Sequence, residues 1–128
     1  CIPCWKELGR MSLGDIMLTK KNTKLNIYIA GPMRGHTNLN RDAFHKAERQ
    51  LDTKKVYNVF NPAKWDENLG VGVEDLYEQD ELRTAIRRDL NAICDCEAIY
   101  MLNGWEHSSG ARLEHMLASF LGLMVLYE

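Results

Sequence analysis

Two carboxylates stand where a core-facing helix surface should be apolar. In the stretch 80–94, Leu82, Ile86, Leu90 and Ile93 recur at helical spacing and mark one face. Successive helical residues turn by roughly 100°, so with Ile86 at zero Asp89 falls at roughly −60°, along the flank of that face. The last helical stretch repeats the anomaly. With Leu117 at zero, Leu113 and Leu121 lie at roughly −40° and +40°, and Glu114 at roughly +60°. A half-buried carboxylate costs free energy unless it is paired, and its pKa tends to rise. A salt bridge to Arg88 or Arg112 would satisfy that requirement without any chemistry. The alternative is catalysis: an Asp and a Glu sharing a pocket suit glycosidic-bond cleavage. One attacks or shields the anomeric carbon, and the other protonates or orients the leaving group.

Several further residues could join such a pair. Ser108, Ser109 and Gly110 precede Glu114, where the backbone N–H groups of a helix start can bind an anion and a glycine lets a ligand approach closely. The run Gly31-Pro32-Met33-Arg34-Gly35 is neither a dinucleotide fingerprint nor a P-loop, yet it could line a sugar or phosphate pocket with Arg34 as a forked donor. The Asn61 amide suits a ligand hydroxyl or base edge, or it starts a turn with Pro62. Trp105 could stack on a nucleobase or close its loop over the core, whereas Trp65 reads as packing. His107 could reach the pocket from its loop; His36, His45 and His115 read as surface or packing residues.

The elements that must position these residues alternate along the chain. Apolar runs at 25–30, 56–60, 98–102 and 123–127 read as strands, and 40–51, 80–94 and 110–121 read as helices. Residues 63–72 read as loop with one helical turn near Trp65. Strands separated by helices imply parallel pairing through right-handed crossovers. The expected fold class is therefore α/β: a small doubly wound, Rossmann-like parallel sheet of four or five strands flanked by helices. Ligands bind such folds beyond the carboxyl ends of the strands, which here are followed by 31–36, 61–65 and 103–110.

Composition narrows the possible partners. The chain has 128 residues, 45% hydrophobic and 27% charged, which is the balance of one ordinary domain. A net charge of −2 leaves no excess of positive charge to hold polymeric nucleic acid. No apolar run approaches the ~18–20 residues of a membrane span, so no membrane partner is expected. Residues 1–24 lack clear periodicity and read as an N-terminal arm or leader, and 25–128 as the domain. Cys1, Cys4, Cys94 and Cys96 do not have the spacing of a usual zinc knuckle, and reduced thiols in a cytoplasmic protein are the simpler reading. No metal is expected.

The segments Tyr28-Ile-Ala-Gly-Pro-Met-Arg-Gly, Phe60-Asn-Pro, Arg87-Arg-Asp, Cys96-Glu-Ala-Ile-Tyr-Met-Leu-Asn-Gly-Trp-Glu and Ser109-Gly-Ala-Arg-Leu-Glu together resemble a family of small, mostly uncharacterised phage and bacterial proteins. That family is similar in turn to the nucleoside 2-deoxyribosyltransferases and the deoxynucleoside 5′-monophosphate N-glycosidases. The resemblance covers about 25–128. In those enzymes a pattern S-x-G-x-x-x-E-x-x-x-A carries a nucleophilic Glu that forms a covalent deoxyribosyl intermediate. Ser108, Gly110, Glu114 and Ala118 stand at those spacings. An Asp on the preceding helix serves the leaving base there, and Asp89 lies 25 residues before Glu114. Tyr28 and Arg34 match a Tyr and a phosphate-region Arg six residues apart. Pro32 stands where the monophosphate hydrolases have a phosphate-binding Ser, and Glu97 replaces the family's usual Asp at a position read as structural.

The resemblance implies N-glycosidic cleavage or transfer on a 2′-deoxynucleoside or deoxynucleotide. It implies no cofactor, a small-molecule nucleoside or nucleotide partner, and a homodimer or larger homo-oligomer. Two other readings stay open: a non-catalytic nucleotide-binding protein that senses or sequesters its ligand, and a phosphoribohydrolase acting on ribonucleotides.

Overall fold

A computed structural model describes residues 24–70 and 79–128. Residues 1–23, with Cys1 and Cys4, and the end of the expected 63–72 loop lie outside the described residues. Strand β1 (Leu25–Ala30) leads through a loop and a short turn of 3-10 helix to α1 (Arg41–Asp52) and β2 (Tyr57–Phe60). Then come α2 (Pro62–Asn68), α3 (Gln79–Cys94), β3 (Ala98–Met101), α4 (Ser109–Leu121) and β4 (Met124–Tyr127). The four strands form one parallel sheet in the order β2-β1-β3-β4. This is a doubly wound, Rossmann-like α/β arrangement. The chain moves outward from β1 to β2 and then crosses back to β3 and β4, so the loops after β1 and β3 diverge and leave a crevice between them.

Strand periodicity of two decides what faces what. Ile27 and Ile29 point to one side of the sheet, where they join Phe44, Ala47 and Leu51 of α1. Tyr28 and Ala30 point to the other, where they meet Ala92 and Ile93 of α3 and Ala111 and Ala118 of α4. Both faces are covered, which explains why β1 and β3 read as continuous apolar runs. Among the described residues, no helix is long and apolar enough to cross a membrane.

Three expectations need correction. First, the region after Asn61 is a seven-residue helix rather than a loop with a single turn. Asn61 Oδ1 caps it, accepting from Ala63 N at 3.0 Å and Lys64 N at 3.4 Å, and Pro62 occupies the first turn, where a missing N–H costs nothing.

Second, α4 packs through Leu117 and its alanines rather than through the whole leucine stripe. Leu113 and Leu121 are exposed, while Ala111 and Ala118 are fully buried. On the angular scale used above, these alanines lie at roughly +120° and +100°, so the inward axis passes close to Glu114 at roughly +60°. Third, α3 is likewise rotated toward its carboxylate, here in the opposite sense. Ala92 and Ile93 enter the core, with Asp89 between them in angle, and Leu82 and Ile86 face a cavity instead. Small side chains let both helices approach the sheet closely, so each carboxylate points inward instead of flanking the core.

Gly31 marks another close approach. A Cβ placed there would lie 2.7 Å from Leu102 Cβ and 2.8 Å from its Cδ1, and Leu102 is fully buried. Gly31→Ala should therefore destabilise the domain by about 1–3 kcal/mol through overpacking. Urea denaturation of the two proteins measures the difference.

Candidate active site

The crevice between the ends of β1 and β3 opens into a cavity of about 460 Å³. The loop after β1 supplies Gly31, Pro32, Met33, Arg34 and His36, and Asn40 Nδ2 anchors that loop by donating to the Pro32 carbonyl at 2.9 Å. Leu82, Ala85, Ile86, Asp89 and Leu90 of α3 form an opposing wall that is apolar except for its carboxylate. His107, Ser108, Ser109, Gly110 and Glu114 close the third side, and Asp66 of α2 adds another acid. Ser108 is the N-cap of α4, its hydroxyl oxygen accepting from Ala111 N at 3.2 Å.

Asp89 and Glu114 line the same cavity, and the Tyr28 hydroxyl is buried beside both carboxyls without lining it. Burial is the largest influence on all three. It raises Asp89 to about 6, opposed by the neighbouring Arg88 guanidinium and increased by the Asp66 charge. It raises Glu114 to about 8, opposed by Tyr28 and increased by Asp89. It holds Tyr28 well above the usual phenol range, so that residue remains a neutral O–H donor. The Tyr28 hydroxyl stands close enough to lower both carboxyl pKa values, although among the described residues neither Tyr28 Oη nor Glu114 Oε2 closes a hydrogen bond of full geometry.

Arg88 organises the acidic side. Its Nη1 donates to Asp66 Oδ1 at 2.7 Å, and its Nε and Nη2 both meet Asp89 Oδ1 at 2.8 Å. Both of these contacts to Asp89 fall on Oδ1. The guanidinium carbon lies 5.3 Å from the centre of the Trp65 ring, which packs edge-on against Phe60. The Asp89–Arg88 ion pair expected as a purely structural solution is therefore present, and its Asp89 end lines the cavity.

The structure thus brings together Asp89, Glu114, Gly31, Arg34, Ser108, Ser109 and Gly110, whereas Tyr28, expected to meet substrate, is fully buried behind the two carboxyls and does not line the cavity. It separates two others. Asn61 is buried at the start of α2, where its amide donates to Glu48 at 3.0 Å and meets His45 Nδ1 at 3.2 Å, so its polar atoms serve the fold. Trp105 stacks on His115 at 4.2 Å and borders a different, open groove with Arg112 and Met116. His107 does reach the cavity, and His36, exposed as expected, borders it as well.

Glu97 is structural, its Oε2 accepting from Asn26 N at 2.7 Å. Cys94 is exposed, while burial pushes the Cys96 thiol up to about 12. Among the described residues, no group of three or more His, Cys, Asp or Glu is placed to hold a metal ion. Asp66 escaped the sequence reading because the segment around it was read as loop; the Asn61-Pro62 cap signal was the clue to its helix.

The fold and cavity define an α/β domain with an acidic pocket at the switch point of its sheet. Residues 25–127 match the family described as Domain of unknown function (DUF4406), and the chain belongs to that family. No curated protein and no solved structure matches the chain.

The raised carboxyls link stability to pH. A carboxyl with a higher pKa folded than unfolded binds a proton more tightly in the native state, so its contribution is complete below its unfolded value and is lost as pH rises through the folded one. For Glu114 that window runs from about 4.5 to about 8. Thermal unfolding midpoints should fall across it in the wild type, and Glu114→Gln, which keeps the shape without the charge, should flatten the decline.

Proposed function

We propose that this protein cleaves, or transfers across, the N-glycosidic bond of a 2′-deoxynucleoside or deoxynucleotide, with Glu114 as nucleophile. The observation that carries the reading is the shared placement of Glu114 and Asp89 on one switch-point cavity, with the buried Tyr28 hydroxyl beside both carboxyls. The resemblance of the Ser108–Ala118 pattern, Asp89, Tyr28 and Arg34 to the deoxyribosyltransferases and monophosphate N-glycosidases supports the same assignment.

In the proposed first step a Glu114 carboxylate oxygen bonds to C1′, and the C1′–N bond breaks with its electron pair going to the base nitrogen. That nitrogen takes a proton from Asp89. Water, or a second base, then attacks C1′ and displaces Glu114, while the ionised Asp89 accepts the nucleophile's proton. The cycle requires one proton on the carboxyl pair. With burial raising the two carboxyls to about 6 and about 8, the pair shares one proton in the interval between. Attack proceeds from the arrangement in which that proton is on Asp89. Gly31, Arg34, Ser108, Ser109 and Gly110 would hold sugar or phosphate, and the α3 wall of Leu82, Ile86 and Leu90 offers an apolar surface to the base.

On this reading the protein serves nucleotide metabolism in the cytoplasm as a homodimer or larger assembly. The exposed apolar side chains of Met116 and Phe120 on α4, at 65% and 87% exposure, support the assembly.

Chromatography should detect free base after incubation with at least one deoxynucleoside or deoxynucleoside 5′-monophosphate, and Glu114→Ala should abolish that release. Binding of one of these compounds without base release would favour the sensing or sequestering reading, and turnover of ribonucleotides a phosphoribohydrolase. The pH profile of kcat/KM should be bell-shaped, with limbs near 6 and 8. Light scattering should report more than one subunit per particle, and Phe120→Glu should shift the protein toward monomer.

A further inference from the structure

The Asp66–Arg88 pair has no part in the chemistry above, although Asp66 lines the same cavity and is only 3% exposed. A structural ion pair would serve equally well anywhere in the core; this one is joined to a reacting carboxylate. Arg88 divides its donors, sending Nη1 to Asp66 and Nε and Nη2 to one oxygen of Asp89. It is further restrained by the Trp65 ring and by its position beside Asp89 in α3. If Arg88 had Asp89 as its only acidic partner, its full charge would hold that carboxyl as an anion, which is a poor state for a group that must give up a proton.

We propose that Asp66 is a positioning residue of the site, which shares Arg88 with Asp89 so that Asp89 is held by Oδ1 yet remains able to exchange a proton with substrate. The proposal deepens the N-glycosidase reading and rests on it for its catalytic consequence. Its electrostatic content stands independently. The charged and titratable groups facing Asp89 are Arg88 on its own helix, Asp66 from α2, Tyr28 from β1 and Glu114 from α4, with Arg34, His36 and His107 lining the same cavity. Of these, Asp66 touches Asp89 only through Arg88 in the hydrogen-bond network. Its negative charge raises the Asp89 pKa while Arg88 lowers it. Asp66→Asn preserves an oxygen acceptor for Nη1 and removes only the charge.

The decisive experiment is a carbon-13 NMR titration of the aspartate carboxyls in the full chain, with the Asp89 signal assigned by its loss in Asp89→Asn. In Asp66→Asn the Asp89 midpoint should move to lower pH than in the wild type. Where base release is measurable, the acid limb of kcat/KM should move with it, and kcat should fall several-fold with little change in KM. The double variant Asp66→Asn/Arg88→Gln replaces the ion pair with an amide pair and should move the midpoint above the wild-type value. That opposite sign is one a general loosening of the fold would not produce. An Asp89 midpoint that stays in place in folded Asp66→Asn, or that moves the same way in both variants, overturns the proposal. If Asp66→Asn does not fold, the double variant decides alone: a midpoint at or below the wild-type value overturns it. Absence of base release from every substrate would sink the glycosidase reading, while the titration would still decide the role of Asp66.

Discussion

The Arg88 guanidinium joins α2 to α3 through one planar group. It pairs with Asp66 of α2, grips Asp89 on its own helix and lies over Trp65, which in turn packs on Phe60 at the end of β2. Removing it would leave two carboxylates in a largely desolvated wall without compensation, a loss that typically costs about 3–5 kcal/mol. The arrangement makes α2 and α3 a single acidic wall and fixes where Asp89 stands relative to Glu114. Without that restraint, the cavity would still exist, but its charges would have no defined geometry.

Among the described residues Glu114 makes no comparable ion pair. Burial, with the nearby Asp89 charge, outweighs the lowering influence of the Tyr28 hydroxyl and of the Arg88 charge and favours its protonated form. The site therefore holds one acid compensated by an arginine and one kept neutral by its surroundings. Two identical functional groups acquire different proton affinities from environment alone, which is the usual means by which paired carboxyls take different roles. The cost of carrying these groups is offset by the alanines on the inward faces of α3 and α4 and by the apolar strands β1 and β3 beneath them.

The alternation of strands and helices was legible because both sheet faces are covered: fully buried strands leave uninterrupted apolar runs, and helices leave a 3.6-residue rhythm. The carboxylate anomalies at Asp89 and Glu114 were legible for the same reason. Their depth was not, because a leucine stripe looked like the core-facing axis, whereas the alanines that allow closest packing define it. The Asn61-Pro62 pair illustrates a similar limit. Its residue types suit a ligand or a helix start, and only the capping bonds to Ala63 and Lys64 choose between them.

What the sequence by itself determined is the parallel α/β class, the edge at which a ligand would bind, and two acidic residues out of keeping with their helices. These follow from periodicity and local chemistry, which are properties of neighbouring residues. Only the tertiary structure decided that Asp66 reaches Asp89 through Arg88, that Tyr28 stands beside both carboxyls, and that Trp105 turns away to stack on His115. Each of these depends on the rotation of a helix about its own axis and on its distance from the sheet. Both are set by how side chains far apart in the chain interlock, and no local pattern records them.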